Sequence, residues 1–242
     1  MNSKLALVFG GSRGIGAACV QTLAEYGFDV AYTYVANAPG PAQEAGRARP
    51  RIRAYRADVR EPAQVAQAFA DATRDFGAAP HCVVANAGIN VPGAPMAQFD
   101  PENFRKLVEV NIVGAFNILR EAAQRVADGG SIIAITTSLV RHAVPGTGPY
   151  SATKAAVECM VRSMSKELAA RKVRVNAVAP GPVDTDLFRA GKTEEAKQRM
   201  AAMSPLNRIG VPKEVAELVA FLASDKASWI DGQIVQPNGG MI

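Results

Sequence analysis

Residue types that build metal sites and disulfides are scarce in this chain of 242 residues. Two histidines are too few for a zinc site built on histidine. The three cysteines, Cys19, Cys82 and Cys159, lie far apart and match no metal-ligand spacing. We therefore predict no metal site, and we interpret the cysteines as free thiols in a reducing compartment.

Long hydrophobic runs and targeting signals are also missing from the sequence. No run approaches the ~18 apolar residues that a membrane-spanning helix requires. Residues 1–9 contain one lysine and a short apolar run that ends in glycines, which does not fit a signal peptide. Apolar residues make up 48% and charged residues 20%, which excludes general disorder. We expect a soluble cytoplasmic protein with no membrane partner.

The formal net charge of +5 raises the question of nucleic-acid binding. Much of the excess comes from arginines between residues 47 and 60, where the stretch RIRAYRAD alternates as a strand does. Charge along an edge strand opposes aggregation. The region has neither aromatic interleaving nor a nucleic-acid motif. We interpret it as a solvated edge strand and expect no nucleic-acid partner.

Short apolar runs alternate with segments of helical periodicity along the chain. The runs are residues 5–9, 30–35, 82–85, 132–135, 173–178 and 234–235. This alternation predicts parallel strands joined by right-handed crossovers. We predict one α/β domain over residues 1–242, a doubly wound Rossmann sheet of about seven strands flanked by helices. Between residues 37 and 50, prolines and a glycine leave room for only a short helix.

The stretch VFGGSRGIG, residues 8–16, contains two incompatible motifs. Gly10, Ser12 and Gly14 match a nucleophile elbow, whereas Gly10, Gly14 and Gly16 match a nucleotide-binding turn that opens a helix. A nucleophile elbow normally follows several strands and needs a histidine and an acid, but this loop follows the first strand. Walker A is excluded because no Lys-Ser/Thr follows the glycines. The loop therefore indicates a phosphate site at a helix N-terminus, with Ser12 as a loop residue.

Further motifs follow the glycine loop in order. They are ADV at 57–59, NAG at 86–88, Asn111, TTS at 136–138, YSATK at 150–154 and PGPVDTD at 180–186. Together they resemble the classical short-chain dehydrogenase/reductase family across essentially the whole chain, nearest to its 3-oxoacyl-thioester reductases. Phe9 departs from the family pattern, which usually has threonine before the first glycine.

The resemblance implies a dinucleotide cofactor, and two features indicate NADP(H). An NAD enzyme of this architecture places an acid at the end of the second strand, but residues 32–36 carry none. Arg13 can instead pair with a 2′-phosphate, although it also fits an exposed loop arginine. The cofactor-binding residues that we predict are Gly10, Ser12, Arg13, Gly14, Ile15, Gly16, Tyr34, Asp58, Val59, Asn86, Ala87, Gly88, Tyr150, Lys154, Pro180, Gly181, Val183 and Thr185.

Tyr150 and Lys154 lie four residues apart, so on a helix they share a face. The ammonium stabilises a phenolate, which predicts that the pKa of Tyr150 falls from ~10 toward the operating pH. Tyr150 can then exchange a proton with a carbonyl oxygen. The alternative is a snorkelling lysine beside a packed tyrosine. In the family the lysine also holds the nicotinamide ribose.

Asn111 lies in the middle of a predicted inner helical stripe. The other members of the stripe are Phe104, Leu107, Val108, Ala115, Ile118 and Ala122. Asn111 could fill a gap in the core, where a buried amide must be hydrogen-bonded. In the family this asparagine anchors a water that links the lysine to solvent. The opposite face, with Val110, Ile112, Val113 and Phe116, predicts a subunit interface, and the resemblance implies a homotetramer.

The hydroxyl that assists the reaction is Ser138 or Thr137. The family places its serine at the position of Thr137, but Ser138 is followed by the usual small apolar residues. Either hydroxyl could donate to the substrate oxygen. We favour Ser138, so the predicted catalytic residues are Ser138, Tyr150, Lys154 and Asn111.

These residues predict NADP(H)-dependent, reversible reduction of a ketone, with a 3-oxoacyl thioester favoured as substrate. The alternatives are a broad small-carbonyl reductase and a non-catalytic NADP-binding regulator. Residues 90–98, 139–149 and 184–210 are expected around the substrate, with 184–210 as a lid. Of two positions at which carrier-protein reductases commonly have arginines, one is Arg171 and the other is Asp128, which would repel an acidic carrier.

Overall fold

In the computed structural model, residues 4–36, 50–190 and 193–242 are described. Their strands form one parallel sheet in the order β3-β2-β1-β4-β5-β6-β7. The strands are β1 (Leu5–Phe9), β2 (Asp29–Tyr34), β3 (Ile52–Arg56), β4 (Pro80–Ala85), β5 (Ser131–Ile135), β6 (Arg174–Val178) and β7 (Ile234–Val235). The predicted doubly wound sheet of about seven strands is confirmed.

Helices follow most of the strands and return the chain to the start of the next one. They are α1 (Gly14–Glu25), α2 (Pro62–Phe76), α3 (Pro101–Leu107), α4 (Ala115–Arg125), α5 (Gly148–Glu167), α6 (Asp186–Arg189), α7 (Glu194–Ala202) and α8 (Pro212–Ala223). Local signals set their ends: α2 begins with a proline and ends at Gly77 in the left-handed conformation. In the part of the chain that the structure describes, no helix is both long and apolar enough to cross a membrane.

Alternation along β1 divides the core between the two faces of the sheet. Leu5, Leu7 and Phe9 pack on the side covered by α2, α4 and α5. Ala6 and Val8 pack on the side covered by α1 and α8. Both sides of the strand are therefore buried, which is why it reads as a continuous apolar run.

The predicted strands agree with those observed. Each of the six apolar runs overlaps a strand, and the arginine-rich stretch forms β3 at one edge of the sheet. The segment expected to hold only a short helix lies outside the described residues, apart from Pro50.

One predicted helix differs from the structure. Between α3 and α4 the backbone widens into a π-helical segment, Val108–Gly114. The wider turns change which residues face inward, so Phe104 is 43% exposed although it was predicted in the inner stripe. Val110, predicted on the outer face, packs against the core. Asn111 is buried as predicted.

The topology determines where the functional segments meet. The chain leaves β1 toward β2 on one side, and β4 lies on the other side of β1, so the strand order reverses there. Ligands of such sheets bind at the carboxyl ends of the strands near this reversal. The turns after β1, β4, β5 and β6 all open at this carboxyl edge, and they contain the motifs singled out in the sequence.

Candidate active site

The turn between β1 and α1 is tightly packed and has no space for side chains at its glycines. A Cβ on Gly16 would lie 2.0 Å from the Gly10 carbonyl oxygen, and one on Gly11 would lie 2.5 Å from the Cβ of Tyr32. Gly10 and Gly14 have φ values of +77° and +55°, which favour glycine. The loop therefore presents bare backbone to the carboxyl edge.

Hydrogen bonds from neighbouring strands hold this loop. The Asn86 side-chain amide donates to the Gly10 carbonyl at 2.8 Å. The Gly10 N–H donates to the Thr33 hydroxyl at 3.1 Å. Phe9, the departure from the family pattern, is fully buried and packs against Phe69 with ring centroids 5.4 Å apart. Thr33 thus anchors the loop without help from the residue before its first glycine.

The N-terminus of α1 fits a pyrophosphate group. Arg13 occupies the cap position without a side-chain cap hydrogen bond, and the first turn of the helix contains no acidic residue. A helix start of this kind directs its backbone N–H groups and positive dipole end outward. Together with the bare glycines, it forms a cradle in which an anion could approach the backbone closely. Gly14 also faces Thr185, whose Cγ2 would lie 3.3 Å from an added Cβ.

The end of β2 borders this cradle. Tyr34 pairs with Arg56 of β3, and the exposed Arg13 lies in the adjoining loop. Asp58 is engaged by Arg60, with 2.6 Å between Oδ2 and Nη2, and these bonds hold the pKa of Asp58 below its usual range. Val59 is buried against Gly114.

Lys154 is buried where three segments converge. Its ammonium donates to the Ile135 carbonyl at 3.0 Å. A Cβ on Gly88 would lie 3.1 Å from the Lys154 nitrogen and 3.2 Å from Asn111 Oδ1. The NAG segment after β4, the end of β5 and the helix α5 therefore meet around this lysine.

Asn111 is fixed by three hydrogen bonds. Its Oδ1 accepts from the Ile89 N–H at 2.9 Å, and its Nδ2 donates to the Ile89 carbonyl at 2.9 Å and to the Thr153 hydroxyl at 3.2 Å. Thr153 in turn donates to the Tyr150 carbonyl at 2.7 Å. The amide thus connects the segment after β4 with the start of the tyrosine helix, and π-helical widening at this point is common in functional sites.

The predicted fall in the pKa of Tyr150 is wrong for the protein alone. Burial raises the pKa of Tyr150 to about 12, because the phenolate loses its hydration. Burial likewise lowers the pKa of Lys154 to about 8. The Lys154 ammonium donates to the Ile135 carbonyl, and desolvation by burial is the cause of the shift in the pKa of each group.

Thr137 and Ser138 differ in their local bonds. Thr137 caps the short 3-10 turn Ser138–Val140, where its hydroxyl accepts from the Leu139 N–H at 3.3 Å. Ser138 is buried, and its backbone N–H donates to the Pro180 carbonyl at 2.9 Å. Thr137 therefore has a structural use for its hydroxyl, and Ser138 remains our choice for the catalytic one.

The segment after β6 connects the site with the predicted lid. The Gly181 N–H donates to the Pro237 carbonyl at 3.1 Å, and Val183 forms a bridge with Gly210. Residues 184–210 contain the helices α6 and α7, which have no buried residues. A cleft beneath α7 is lined by Met200 and Ser204, among others, but not by Ser138 or Tyr150. The movement of this segment as a lid stays a prediction.

Comparison with known proteins agrees with this geometry. The sequence profile of a family described as enoyl-(acyl carrier protein) reductase matches residues 10–242. A short-chain type dehydrogenase/reductase from Picea abies is 42% identical, with 100% of this chain and 93% of the relative covered. The chain belongs to the short-chain dehydrogenase/reductase family.

Two other members of the family have names that mention a cofactor. An NADPH-dependent aldehyde reductase-like protein of Arabidopsis thaliana is 40% identical, with 99% of this chain and 94% of the relative covered. A blue fluorescent protein from a metagenomic library, solved in complex with NADPH, has a TM-score of 0.90 and 34% identity; 99% of this chain and 98% of that one are covered. The predicted choice of NADP(H) agrees with both.

The structure changes the interpretation of Arg171 as a residue that binds an acidic carrier protein. Its guanidinium donates to Asp128 Oδ1 at 2.7 Å, to the Ala123 carbonyl at 2.5 Å and to the Val126 carbonyl. Arg171 therefore caps the end of α4 and pairs with the very acid that was expected to repel a carrier. The two residues form a partly exposed pair, with Arg171 33% and Asp128 75% exposed, so Arg171 is not a free arginine for an acidic carrier.

Sequence reasoning missed a buried polar cluster beside the site. Glu158 on α5 bonds to Thr136, the first residue of the TTS segment, and to Arg141, three residues beyond that segment. A signal existed in the sequence: Glu158 lies one helical turn beyond Lys154, on the same side of an otherwise apolar helix face.

Proposed function

We propose that this member of the family is an NADP(H)-dependent oxidoreductase that reversibly reduces a small aldehyde or ketone to an alcohol. The observation that carries the proposal is the convergence on the buried Lys154. There, the backbone of the NAG segment, Asn111 and the helix bearing Tyr150 meet at the edge of the sheet that also holds the glycine cradle. A buried ammonium is costly, and a reductase has a use for it.

The residues divide the work of such a reaction. NADPH, when bound, supplies the hydride. Tyr150, protonated at neutral pH, donates its phenolic proton to the carbonyl oxygen that becomes the alcohol. Ser138 donates a hydrogen bond to the same oxygen as negative charge develops there. Lys154 would hold the ribose of a bound cofactor and favour the phenolate left on Tyr150, and Asn111 would anchor a water that links the lysine to solvent.

The cofactor would lie along the carboxyl edge of the sheet. The bare backbone at Gly10–Gly16 fits the pyrophosphate, and the exposed Arg13 fits a 2′-phosphate. The remaining predicted cofactor contacts are at the end of β2, in the segments after β3, β4 and β6, and on α5. The end of β2, Thr33 and Tyr34, carries no acid that would accept from an unmodified ribose.

The substrate class rests on three observations, one of which favours an acyl thioester and two of which favour a free carbonyl compound. The profile that matches the chain is described by an acyl-carrier-protein substrate, which favours an acyl thioester, our earlier expectation. Arg171, however, is occupied by Asp128 and two carbonyls, so no free arginine remains there for an acidic carrier. The relatives named as aldehyde reductases favour a free carbonyl compound. We therefore place small carbonyls first and 3-oxoacyl thioesters second.

Turnover with a defined panel tests this proposal. NADPH oxidation is followed with aldehydes, ketones and 3-oxoacyl thioesters bound to coenzyme A or to a carrier protein. We expect the free carbonyls to be reduced fastest. Tight NADPH binding with no turnover on any substrate would instead identify a non-catalytic NADP-binding protein.

The assembly is proposed to be a homotetramer. Phe116 is 50% exposed on α4, and Trp229 is 98% exposed in the segment before β7. Large exposed apolar groups of this kind are commonly covered by a partner subunit. Light scattering at micromolar concentration tests the state, and a stable monomer would refute it. Phe116→Asp should weaken the assembly.

A further inference from the structure

A carboxylate is buried next to the candidate active site without touching its catalytic groups. Glu158 of α5 has a side chain only 2% exposed. Its Oε1 accepts from the Thr136 hydroxyl at 3.1 Å and from Arg141 Nη1 at 3.0 Å. Its Oε2 accepts from Arg141 Nη2 at 2.9 Å. Both oxygens are thus satisfied by two residues of a different segment.

The two partners of Glu158 lie on either side of Ser138. Thr136 is the first residue after β5, and Arg141 follows the turn Ser138–Val140. The Arg141 N–H also donates to the Ser138 carbonyl at 2.9 Å, which closes that turn. Glu158 itself lies one turn of α5 beyond Lys154. One carboxylate therefore joins the segment that carries the hydroxyl to the helix that carries Tyr150 and Lys154.

Stability alone does not account for this arrangement. A buried ion pair gains little net free energy, because desolvation of the charges offsets their attraction, and apolar residues of similar volume often stabilise a protein as well or better. The neighbouring face of α5 is apolar, with Val157 and Val161 in the core. The bidentate bonds between Glu158 and Arg141 give α5 and the segment after β5 a defined relative position and orientation.

We propose that Glu158 and Arg141 are positioning residues that hold the Ser138 hydroxyl at the correct place relative to Tyr150. The proposal rests on the proposed reductase function. Hydroxyl donors stabilise developing charge only at hydrogen-bond distance from it, and a shift of about 1 Å can lower turnover by ~10²-fold. Loss of the brace should therefore reduce kcat and kcat/KM together, with KM unchanged.

Glu158→Gln is the central variant, because it keeps the side-chain volume and removes the charge. We expect kcat about 10-fold lower, with the Kd for NADPH within twofold of the wild type, since the glycine cradle is not touched. Combining Glu158→Gln with Ser138→Ala should cost nothing beyond Ser138→Ala alone, because the brace acts through that hydroxyl. If the fold losses of kcat in Glu158→Gln and Ser138→Ala multiply in the combined variant, the proposal is overturned.

The chain offers a matched control at the opposite edge of the sheet. Asp29 is also 2% exposed and is bonded by Arg51, whose side chain is 29% exposed, against 35% for Arg141. Asp29→Asn should lower the melting temperature to a similar extent as Glu158→Gln and leave kcat unchanged. Equal loss of kcat in both variants would show a general folding effect and overturn the proposal.

A double variant separates packing from position. Glu158→Leu combined with Arg141→Met replaces the pair by apolar side chains, so the melting temperature should return to the wild-type value or above it. We expect kcat to stay about 10-fold low in this stable protein. A stable double variant with wild-type kcat would overturn the proposal.

Hydrogen exchange keeps the test independent of turnover. The amides of Ser138, Arg141 and His142 should lose protection in Glu158→Gln and keep it in Asp29→Asn. If the wild-type protein reduces no carbonyl compound, the proposed function fails, and exchange alone then decides whether the pair holds the segment. Unchanged protection in Glu158→Gln would overturn the brace itself.

Discussion

At the amino edge of the sheet, Asp29 is buried at the start of β2 and accepts from the Arg51 guanidinium and the Arg51 N–H. At the carboxyl edge, Lys154 is equally buried but donates to a single backbone carbonyl, and burial lowers its pKa to about 8. The first charge has an opposite charge as partner. The Lys154 ammonium, by contrast, is buried in a site where desolvation disfavours its charged form.

The contrast extends to the surroundings of the two charges. Arg174, at the start of β6, donates to the carbonyls of Leu222 and Ser224 near the end of α8. The carboxyl edge instead has an uncapped helix N-terminus and a tyrosine that burial keeps protonated. Unsatisfied or strained groups concentrate where a ligand and a reaction would use them. We therefore expect substitutions at the carboxyl edge to change turnover or cofactor binding, and matched substitutions elsewhere to leave both unchanged.

The largest effect is expected for Tyr150→Phe, which removes the transferred proton. We expect kcat to fall by about 10³-fold with the Kd for NADPH unchanged. Tyr55→Phe is the matched change, because it removes a hydrogen bond from the edge strand β3 to Asp75 on α2, outside the candidate active site, and its kcat should equal that of the wild type. Tyr150→Phe with more than a few per cent of wild-type turnover would contradict the mechanism.

Ser138→Ala should lower kcat by about 10²-fold, the usual cost of one donor to a developing oxyanion. Thr137→Val should keep most of the turnover and lose some stability, since its hydroxyl caps a turn. Ser131→Ala, at the amino end of β5, should leave kcat unchanged. Near-normal turnover in Ser138→Ala with loss in Thr137→Val would show that Thr137 is the catalytic hydroxyl.

Arg13→Ala should raise the Kd for NADPH by roughly 10- to 100-fold and change the Kd for NADH little, because only the charge-assisted contact to the 2′-phosphate is lost. Fluorescence titration with both cofactors measures this without turnover. Arg53→Ala, which breaks an exposed pair with Asp75, is the control and should affect neither Kd. Equal weakening of both cofactors by Arg13→Ala would refute the assignment.

Lys154→Met should inactivate the enzyme and yet stabilise its fold at neutral pH. The lysine pKa falls from 10.5 to about 8 on folding, so the unfolded chain binds the proton more tightly. Below pH 8 this costs the wild type up to about 3 kcal/mol, and between pH 8 and 10.5 the wild type regains it. Part of the gain in Lys154→Met is offset by the unpaired Ile135 carbonyl.

Denaturant unfolding at pH 7 and pH 10.5 checks the Lys154 prediction. The stability difference between Lys154→Met and the wild type should shrink or change sign at the higher pH. Lys4→Met is the control, since it loses only an exposed pair with Asp225 and should change stability by less than about 1 kcal/mol at pH 7. Destabilisation by Lys154→Met at pH 7 would contradict the view that the buried ammonium is a cost.

Much of the site could be predicted because its signals are local. The glycine loop, the Tyr150–Lys154 spacing and the apolar strand runs each depend on neighbours in the sequence; the strands are observed where the runs predict them, and Tyr150 and Lys154 both lie on α5. The π-helical segment could not be predicted, since a strip of apolar residues is compatible with several helical widths. The error for Phe104 came from assuming one uniform period.

Long-range pairs account for the other differences. Nothing near Asp128 in the sequence indicates that Arg171 would occupy it, because the two residues meet only through the packing of α4 against the segment before β6. The same holds for Glu158 and Arg141, which lie in separate elements. For Tyr150, the effect of burial on its pKa depends on solvent exposure in the folded chain, which spacing along a helix does not give.

The sequence by itself determined the parallel α/β architecture, the glycine loop and the pairing of Tyr150 with Lys154 on one helix, because periodicity and spacing act within a few residues. Tertiary structure decided which charges are paired and which are left desolvated. Burial and partnership arise only when distant segments pack, as Thr136 and Arg141 do around Glu158. Which charges have an opposite charge as partner therefore became visible only in the folded chain.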